Sequence, residues 1–178
     1  MHPSSIINMK KMRIKYINPI INKLDVTFRI LDVGGAYGAP ERTYLRVFED
    51  ITYLNWTVCD IIKHPSVDMV MPSDYVIPVK DDTYDLVISG QMLEHCKNPF
   101  KIMNEMKRVL KPKHYMIVIA PSDGPYHHTT DCWRFLKDSF KCISEDIDLK
   151  FIESYIDEKP QDPRSRQWKD HVFVGMKK

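Results

Sequence analysis

Short apolar runs and amphipathic stretches take turns along most of this chain. Arg29 to Val33, Tyr53 to Cys59, Val67 to Met71, Tyr84 to Ser89 and Tyr115 to Ala120 read as strands. Inside the fourth, Leu86-Val87-Ile88 is a continuous apolar run, the pattern of a strand covered on both faces. Helices are expected at other positions. Residues 9 to 24 read as a helix with a basic start, Lys10, Lys11, Arg13 and Lys15, more simply a solvated face than a polyanion site. Pro40 to Phe48 reads as a helix with its proline in the first turn, where a missing N–H costs little. Asn98-Pro99 is a cap and first-turn pair. Phe100, Met103, Met106 and Leu110 follow it at helical spacing, and that helix stops before Pro112. Leu136 to Ile143 is a further helix, and Lys150 to Ile156 and His171 to Met176 are two closing strands with only a loop between them.

The alternation predicts an α/β fold: a single Rossmann-like doubly wound sheet of about seven strands. The sheet is expected to be mostly parallel with an antiparallel last strand, and to carry helices on both faces. The expected organisation is one domain over residues 1–178, an N-terminal helical segment (1–25) preceding an α/β core (26–178).

Composition narrows the function classes. A formal net charge of +2 gives no strong field to draw in nucleic acid or an anionic membrane. The four cysteines, Cys59, Cys96, Cys132 and Cys142, form no C-x-x-C pair, so neither a zinc ribbon nor a disulfide framework is expected, and a reducing cytoplasm is the simpler location. No secretory leader is expected at the N-terminus, and no window approaches the ~18 apolar residues of a membrane helix.

The most specific stretch is Ile30-Leu31-Asp32-Val33-Gly34-Gly35-Ala36-Tyr37-Gly38. It is an apolar strand ending in an acid and a glycine-rich turn. Such a turn places a ligand over backbone N–H groups. A dinucleotide site has its glycines as G-x-G-x-x-G and needs no acid two residues before the first. Here the spacing is D-x-G-x-A-x-G, which resembles the first motif of class I S-adenosylmethionine (SAM) methyltransferases. A carboxylate suits the cationic, phosphate-free SAM and would repel a pyrophosphate.

The resemblance continues in order along the chain, over roughly residues 29 to 136. Asp60 ends the second strand, where the family holds the ribose hydroxyls with an acid; the alternative is a strand-end acid satisfied by solvent. The blocks Ile77-Pro78, Tyr84-Asp85-Leu86-Val87-Ile88-Ser89, Leu93-Glu94-His95 and Arg108-Val109-Leu110-Lys111-Pro112 are similar to the family's central part. The resemblance implies SAM as cofactor, with Asp32, Gly34, Gly35, Ala36 and Gly38 around its amino-acid part. It implies Asp60 at the ribose, Asp74 at the adenine edge, and Ser89 and Gln91 near the methionine end. His95 falls at the floor of the substrate pocket, although Glu94 and His95 also fit a loop-bracing role. Ala36 stands where the family carries a glycine, the mildest replacement, and Lys113-His114 replaces a usual Gly-Gly turn.

The loop from Pro121 to Phe135 follows the fifth strand, at the sheet edge where open α/β folds bind ligands. It is similar to a stretch of methyltransferases encoded with glycan or natural-product pathways. Methyl transfer to a hydroxyl needs positioning and a base, and histidine supplies one. His127 or His128 is the candidate base, with Asp131 fixing its tautomer or binding substrate. Tyr126, Trp133 and Arg134 are candidate substrate contacts; Trp133 equally reads as core and Arg134 as a partner for a carboxylate. His127, His128, Asp131 and Cys132 offer only one carboxylate, and Mg²⁺ prefers oxygen ligands, so no metal site is assigned.

The expected function is therefore SAM-dependent methylation of a small-molecule or glycan hydroxyl. A non-catalytic SAM-fold scaffold subunit stands as the alternative. Methylation of RNA or protein is a third reading: the place after the fourth strand reads Ser89-Gly90-Gln91-Met92, with no N/D-P-P-Y/F motif of amino-group enzymes. The basic stretch Arg164 to Lys169, with Trp168, reads as a surface loop or a lid. No membrane or nucleic-acid partner is expected, and a homodimer is compatible with the pattern.

Overall fold

The computed structural model describes residues 2–21, 26–36 and 43–178. Seven strands form one sheet: β1 (Phe28–Val33), β2 (Leu54–Asp60), β3 (Met69–Val70), β4 (Tyr84–Gly90), β5 (Leu110–Pro121), β6 (Lys150–Ile156) and β7 (Asp170–Met176). Their order is β3-β2-β1-β4-β5-β7-β6. The first five run parallel, and β7 is antiparallel to both β5 and β6. This is the expected doubly wound sheet with its antiparallel last strand. The chain reverses its direction of winding between β1 and β4, and the crevice at such a switch point is where open α/β sheets bind ligands.

Helices cover both faces. One face packs α4 (Pro99–Val109) and α5 (Ser139–Asp146) on the sheet through Ile102, Met103, Met106, Val109, Phe140 and Ile143. The other packs α1 (Pro3–Met12), a π-helical turn over Arg13–Ile17, and α3 (Leu45–Phe48) through Met9, Met12, Ile17, Val47 and Phe48. A short helix α2 (Asn18–Ile21) follows the π-helical turn. Central strands buried on both sides explain the apolar run in β4, every residue of which except Gly90 is buried.

Several boundaries differ from the sequence reading. Helix α1 begins at Pro3 rather than at residue 9, because its inward face carries polar groups. Ser4, Ser5 and Asn8 are buried, with Ser5 Oγ 2.5 Å from the Tyr44 hydroxyl and Asn8 Nδ2 donating to Asp157 at 3.1 Å. Apolar periodicity cannot report a face whose polar groups find tertiary partners. Two of the four basic residues form ion pairs, Arg13 with Asp50 and Lys15 with Glu153, while Lys10 and Lys11 are exposed. Residues 40–42 of the helix expected over Pro40 to Phe48 lie outside the described residues, and α3 occupies its last turn. Strand β3 is shorter than expected. Helix α4 starts at the expected cap, the Asn98 side chain accepting from the Lys101 N–H at 3.1 Å. Its buried stripe is Ile102, Met103, Met106 and Val109; Phe100 sits one position off it and is exposed. Helix α5 begins three residues later than expected, after an exposed turn over 136–138.

Candidate functional site

The C-terminal ends of β1, β2 and β4 open into a cavity of about 860 Å³. Asp32, Gly34 and Gly35 line it from β1 and its turn, Asp60 from β2, and Gly90 and Gln91 from β4. Ile61, Ile62, Met71, Tyr75 and Met92 give it apolar walls, and Asp74, His95, His128, Thr129 and Thr130 also line it. Gly34 makes the turn with φ +82°, a left-handed backbone, and its N–H donates to the Cys59 carbonyl at 2.8 Å. A Cβ there would sit 2.3 Å from Met92 Cγ.

Two acids face the cavity from adjacent strand ends. Asp32 is buried between β2 and β4, paired in register with Val58 and Ile88. Burial, with a further push from the Asp60 carboxylate, raises its carboxyl to about 7. Asp60 is held in place by its neighbours' backbone: its carboxylate accepts the N–H groups of Ala36 and Ile62, each at 3.2 Å. The Ala36 methyl is fully buried and does not line the cavity, so replacing the family glycine does not narrow it. Gly38 lies outside the described residues.

The loop after β5 is stapled by one side chain. Arg134 donates to both Asp131 carboxylate oxygens, at 2.6 and 2.8 Å, and to the carbonyls of Gly124 and Pro125 at 3.2 and 2.7 Å. The guanidinium holds the Asp131 carboxyl well below the usual carboxylate range. Asp131 in turn accepts from the His127 backbone at 3.1 Å and stands 3.0 Å from His127 Nδ1. Trp168 packs edge-on against the His127 ring at 4.6 Å, so the basic stretch after β6 buttresses the loop. Two of its charges are paired, Arg164 with Asp162 and Lys169 with Asp123.

The profile of the methyltransferase-domain family matches residues 31–118, from β1 into β5. Over that stretch, just under half of its length, the chain is similar to the methyltransferase-domain proteins. It is 26% identical over 105 residues to a demethylmenaquinone methyltransferase of Renibacterium salmoninarum, covering 55% of this chain and 44% of that one. The chain spans less than half the length of the curated relatives it matches. Among solved structures, a Burkholderia thailandensis 1,6-didemethyltoxoflavin-N1-methyltransferase with S-adenosylhomocysteine bound superposes with TM-score 0.68 at 13% identity, covering 98% of this chain and 78% of that one. The [4+2]-cyclase SpnF superposes with TM-score 0.69 at 14% identity, over 97% and 81% of the two chains.

The cofactor of the methyltransferases is SAM, and the cavity fits it. Two carboxylates crowd a site that a cationic ligand would relieve, and a glycine at position 34 lets the turn pack against Met92. Of the residues singled out in the sequence, Asp32, Gly34, Gly35, Asp60, Asp74, Gln91, His95 and His128 converge on this methyltransferase cavity. The others do not line it. Ser89 is fully buried and donates to the Val33 carbonyl at 2.8 Å, tying β4 to β1. His127 and Asp131 form the layer behind His95 and His128. Tyr126 points to solvent. Trp133 is not core: it is 39% exposed, with its indole N–H on the Cys96 carbonyl at 2.7 Å. Arg134 is a carboxylate's partner, as one of its two readings held.

Sequence reasoning missed Asp170 at the start of β7. It is buried, accepts from Gln91 Nε2 at 3.0 Å and lies 3.0 Å from His2 Nε2, so it fixes the cavity-facing Gln91 from behind. Gln91 itself has φ +58°, a left-handed conformation that turns the chain into the cavity wall. The apolar pair Ile61-Ile62 was also missed, although its place directly after Asp60 was a readable signal.

Proposed function

We propose that this protein transfers a methyl group from SAM to a hydroxyl of a small-molecule or glycan acceptor. The observation that carries the reading is that Asp32, Asp60 and His128 all line one cavity. Asp32 binds the ammonium of the amino-acid part and Asp60 the ribose diol, since a carboxylate can accept from both hydroxyls. The wall of Ile61, Ile62 and Met71, together with Asp74, suits the adenine. Gln91, braced by Asp170, faces the methionine end. SAM supplies a methyl group activated by its sulfonium.

His128 is the base in this reading. Its ring lines the cavity, and its Nδ1 lies 2.7 Å from the Thr129 carbonyl, which leaves Nε2 to take a proton. The acceptor oxygen attacks the methyl carbon in line with the leaving sulfur, and its proton passes to His128. A methyl ether and S-adenosylhomocysteine result. Positioning and one base are sufficient for such a reaction. A cavity of about 860 Å³ with a histidine in its wall favours catalysis over a purely structural subunit. The core shared by α1 and the sheet supports reading residues 1–178 as one domain.

Calorimetry with S-adenosylhomocysteine tests the cofactor half: wild-type protein binds and Asp32→Ala binds at least tenfold more weakly. No binding by wild type, or equal binding by the variant, would sink the reading. Methyl transfer from labelled SAM to a panel of sugars and phenols tests the acceptor half.

A further inference from the structure

Three side chains from two segments meet beside the acceptor end of the cavity. Glu94 and His95 come from the single 3-10 turn after β4, and His127 comes from the loop after β5. One ligand-capable atom from each lies within 4.8 Å of the others. Bonds of about 2.0–2.2 Å to one ion bring such atoms to within ~4.4 Å of each other, so little closure is needed.

The tautomers make the meeting unusual. His95 Nδ1 lies 2.8 Å from the Thr130 carbonyl, and His127 Nδ1 lies 3.0 Å from an Asp131 carboxylate oxygen. Each acceptor takes the Nδ1 proton, which leaves both Nε2 atoms with lone pairs. His95 Nε2 is 3.7 Å from Glu94 Oε1. A carboxyl group and two imidazoles, each with a lone pair on Nε2, therefore meet in one cluster.

Glu94 adds a second, independent sign. Its side chain is 1% exposed, and Oε2 has no hydrogen-bond partner. Arg134, the cation that acts on it, spends its donors on Asp131, Gly124, Pro125 and Trp133. A buried carboxylate oxygen left unpaired is costly, and a cation at this point would satisfy it together with both imidazoles.

We propose that Glu94, His95 and His127 bind one divalent transition-metal ion through two imidazole nitrogens and one carboxylate. Two nitrogens and one oxygen suit zinc and its first-row neighbours, whereas magnesium and calcium favour oxygen-only shells. Thr130 and Asp131 are the outer partners that orient the two imidazoles, the usual arrangement behind metal-bound histidine. Three protein ligands leave a coordination position open. Because His95 lines the cavity, that position faces the acceptor side. There the ion would polarise an acceptor oxygen and ease loss of its proton to His128. That action rests on the methyl-transfer reading; binding of the ion does not.

The test uses the full, tag-free chain stripped with chelator, titrated with Co(II) by absorption and with Zn(II) by calorimetry. One equivalent should bind, with cobalt d–d bands that zinc abolishes. Glu94→Gln and His127→Gln should each weaken binding at least tenfold, and His114→Gln, remote from the site, should not. Thermal melts report whether each variant folds. If Glu94→Gln does not, His127→Gln, on an exposed loop, decides alone. Absence of stoichiometric binding by wild type, or His127→Gln within twofold of it, overturns the site. S-adenosylhomocysteine binding measured on the same samples separates the two readings: its loss with zinc binding intact removes the methyltransferase reading and leaves the ion.

Discussion

Asp131 and Arg134, three residues apart, form a two-armed ion pair at 2.6 and 2.8 Å that fixes the shape of the entire loop after β5. The Asp131 side chain is 1% exposed, while Arg134 also reaches back to the carbonyls of Gly124 and Pro125. The pair thus closes the loop on itself and presents His127 and His128 beside the cavity. A loop of this length without helix or strand needs such a staple to hold its side chains in one place. Its exit is fixed too. Phe135 stacks on Phe140 at 5.2 Å, which stacks on Phe173 at 5.0 Å, returning the chain to the core.

Arg134→Lys keeps the charge and loses the fork. One point donor cannot serve both Asp131 oxygens and two carbonyls. The expected cost is about 1–3 kcal/mol, read as a shift in the denaturant midpoint with unchanged slope. Methyl transfer should fall further than stability alone accounts for, because the loop histidines lose their position. Equal stability of Arg134→Lys and wild type would show that the fork is dispensable.

Gly34→Ala places a methyl group where the backbone is left-handed and where Met92 Cγ would be 2.3 Å away. Both the conformation and the contact are unfavourable, for a combined cost of about 2–4 kcal/mol. Shortening the neighbour in Gly34→Ala/Met92→Ala removes the Cγ contact but keeps Met92 Cβ at 2.7 Å, so it should relieve the clash only in part and leave the backbone strain. The two variants should therefore differ in how Gly34→Ala acts: weaker S-adenosylhomocysteine binding in both, with the larger loss where Met92 is present. Identical binding in all three proteins would remove the turn from the site.

What the sequence made legible follows from which interactions are local. The central strands β1, β4 and β5 were readable from their runs of buried apolar residues; Lys150–Ile156 was placed without error although none of its residues is buried, and β1, β2, β4 and β7 to within a residue at each end. Asp32 and Asp60 were readable because strand-end acids beside a glycine turn are a local signature. Pairings across long separations were not. Gln91 with Asp170, and Glu94 and His95 with His127, are joined only by the fold. Helix α1 was placed too late for the same reason, since the partners of Ser5 and Asn8 are Tyr44 and Asp157.

His128→Ala separates chemistry from cofactor binding. The ring is expected to accept the acceptor proton and to make no demand on SAM. Its removal should lower kcat by about 10²–10⁴-fold and leave the affinity for S-adenosylhomocysteine within twofold. His128→Gln, which cannot accept a proton at neutral pH, should fall equally. A drop in affinity with kcat intact would instead make His128 part of the cofactor wall.

Asp32 sets a pH dependence whose sign can be worked out. Its carboxyl is raised to about 7 by burial and by Asp60. A ligand that carries a positive ammonium binds the ionised form, so protonation competes with it. Affinity for S-adenosylhomocysteine should be flat above pH 7 and fall about tenfold per unit below it, until the protonated form dominates binding. Folding responds in the opposite direction. Between about 4 and 7 the ligand-free native state keeps a proton that the unfolded chain has released, so native stability declines as pH rises across that window. Asp32→Asn removes both effects: its ligand binding should be weak and insensitive to pH between 5 and 8. Its thermal midpoint relative to wild type should climb as pH rises toward 7, because only wild type loses stability there. Parallel melting and binding curves for the two proteins at pH 5, 6, 7 and 8 read both signs at once, and a wild-type affinity that rises on acidification would contradict them.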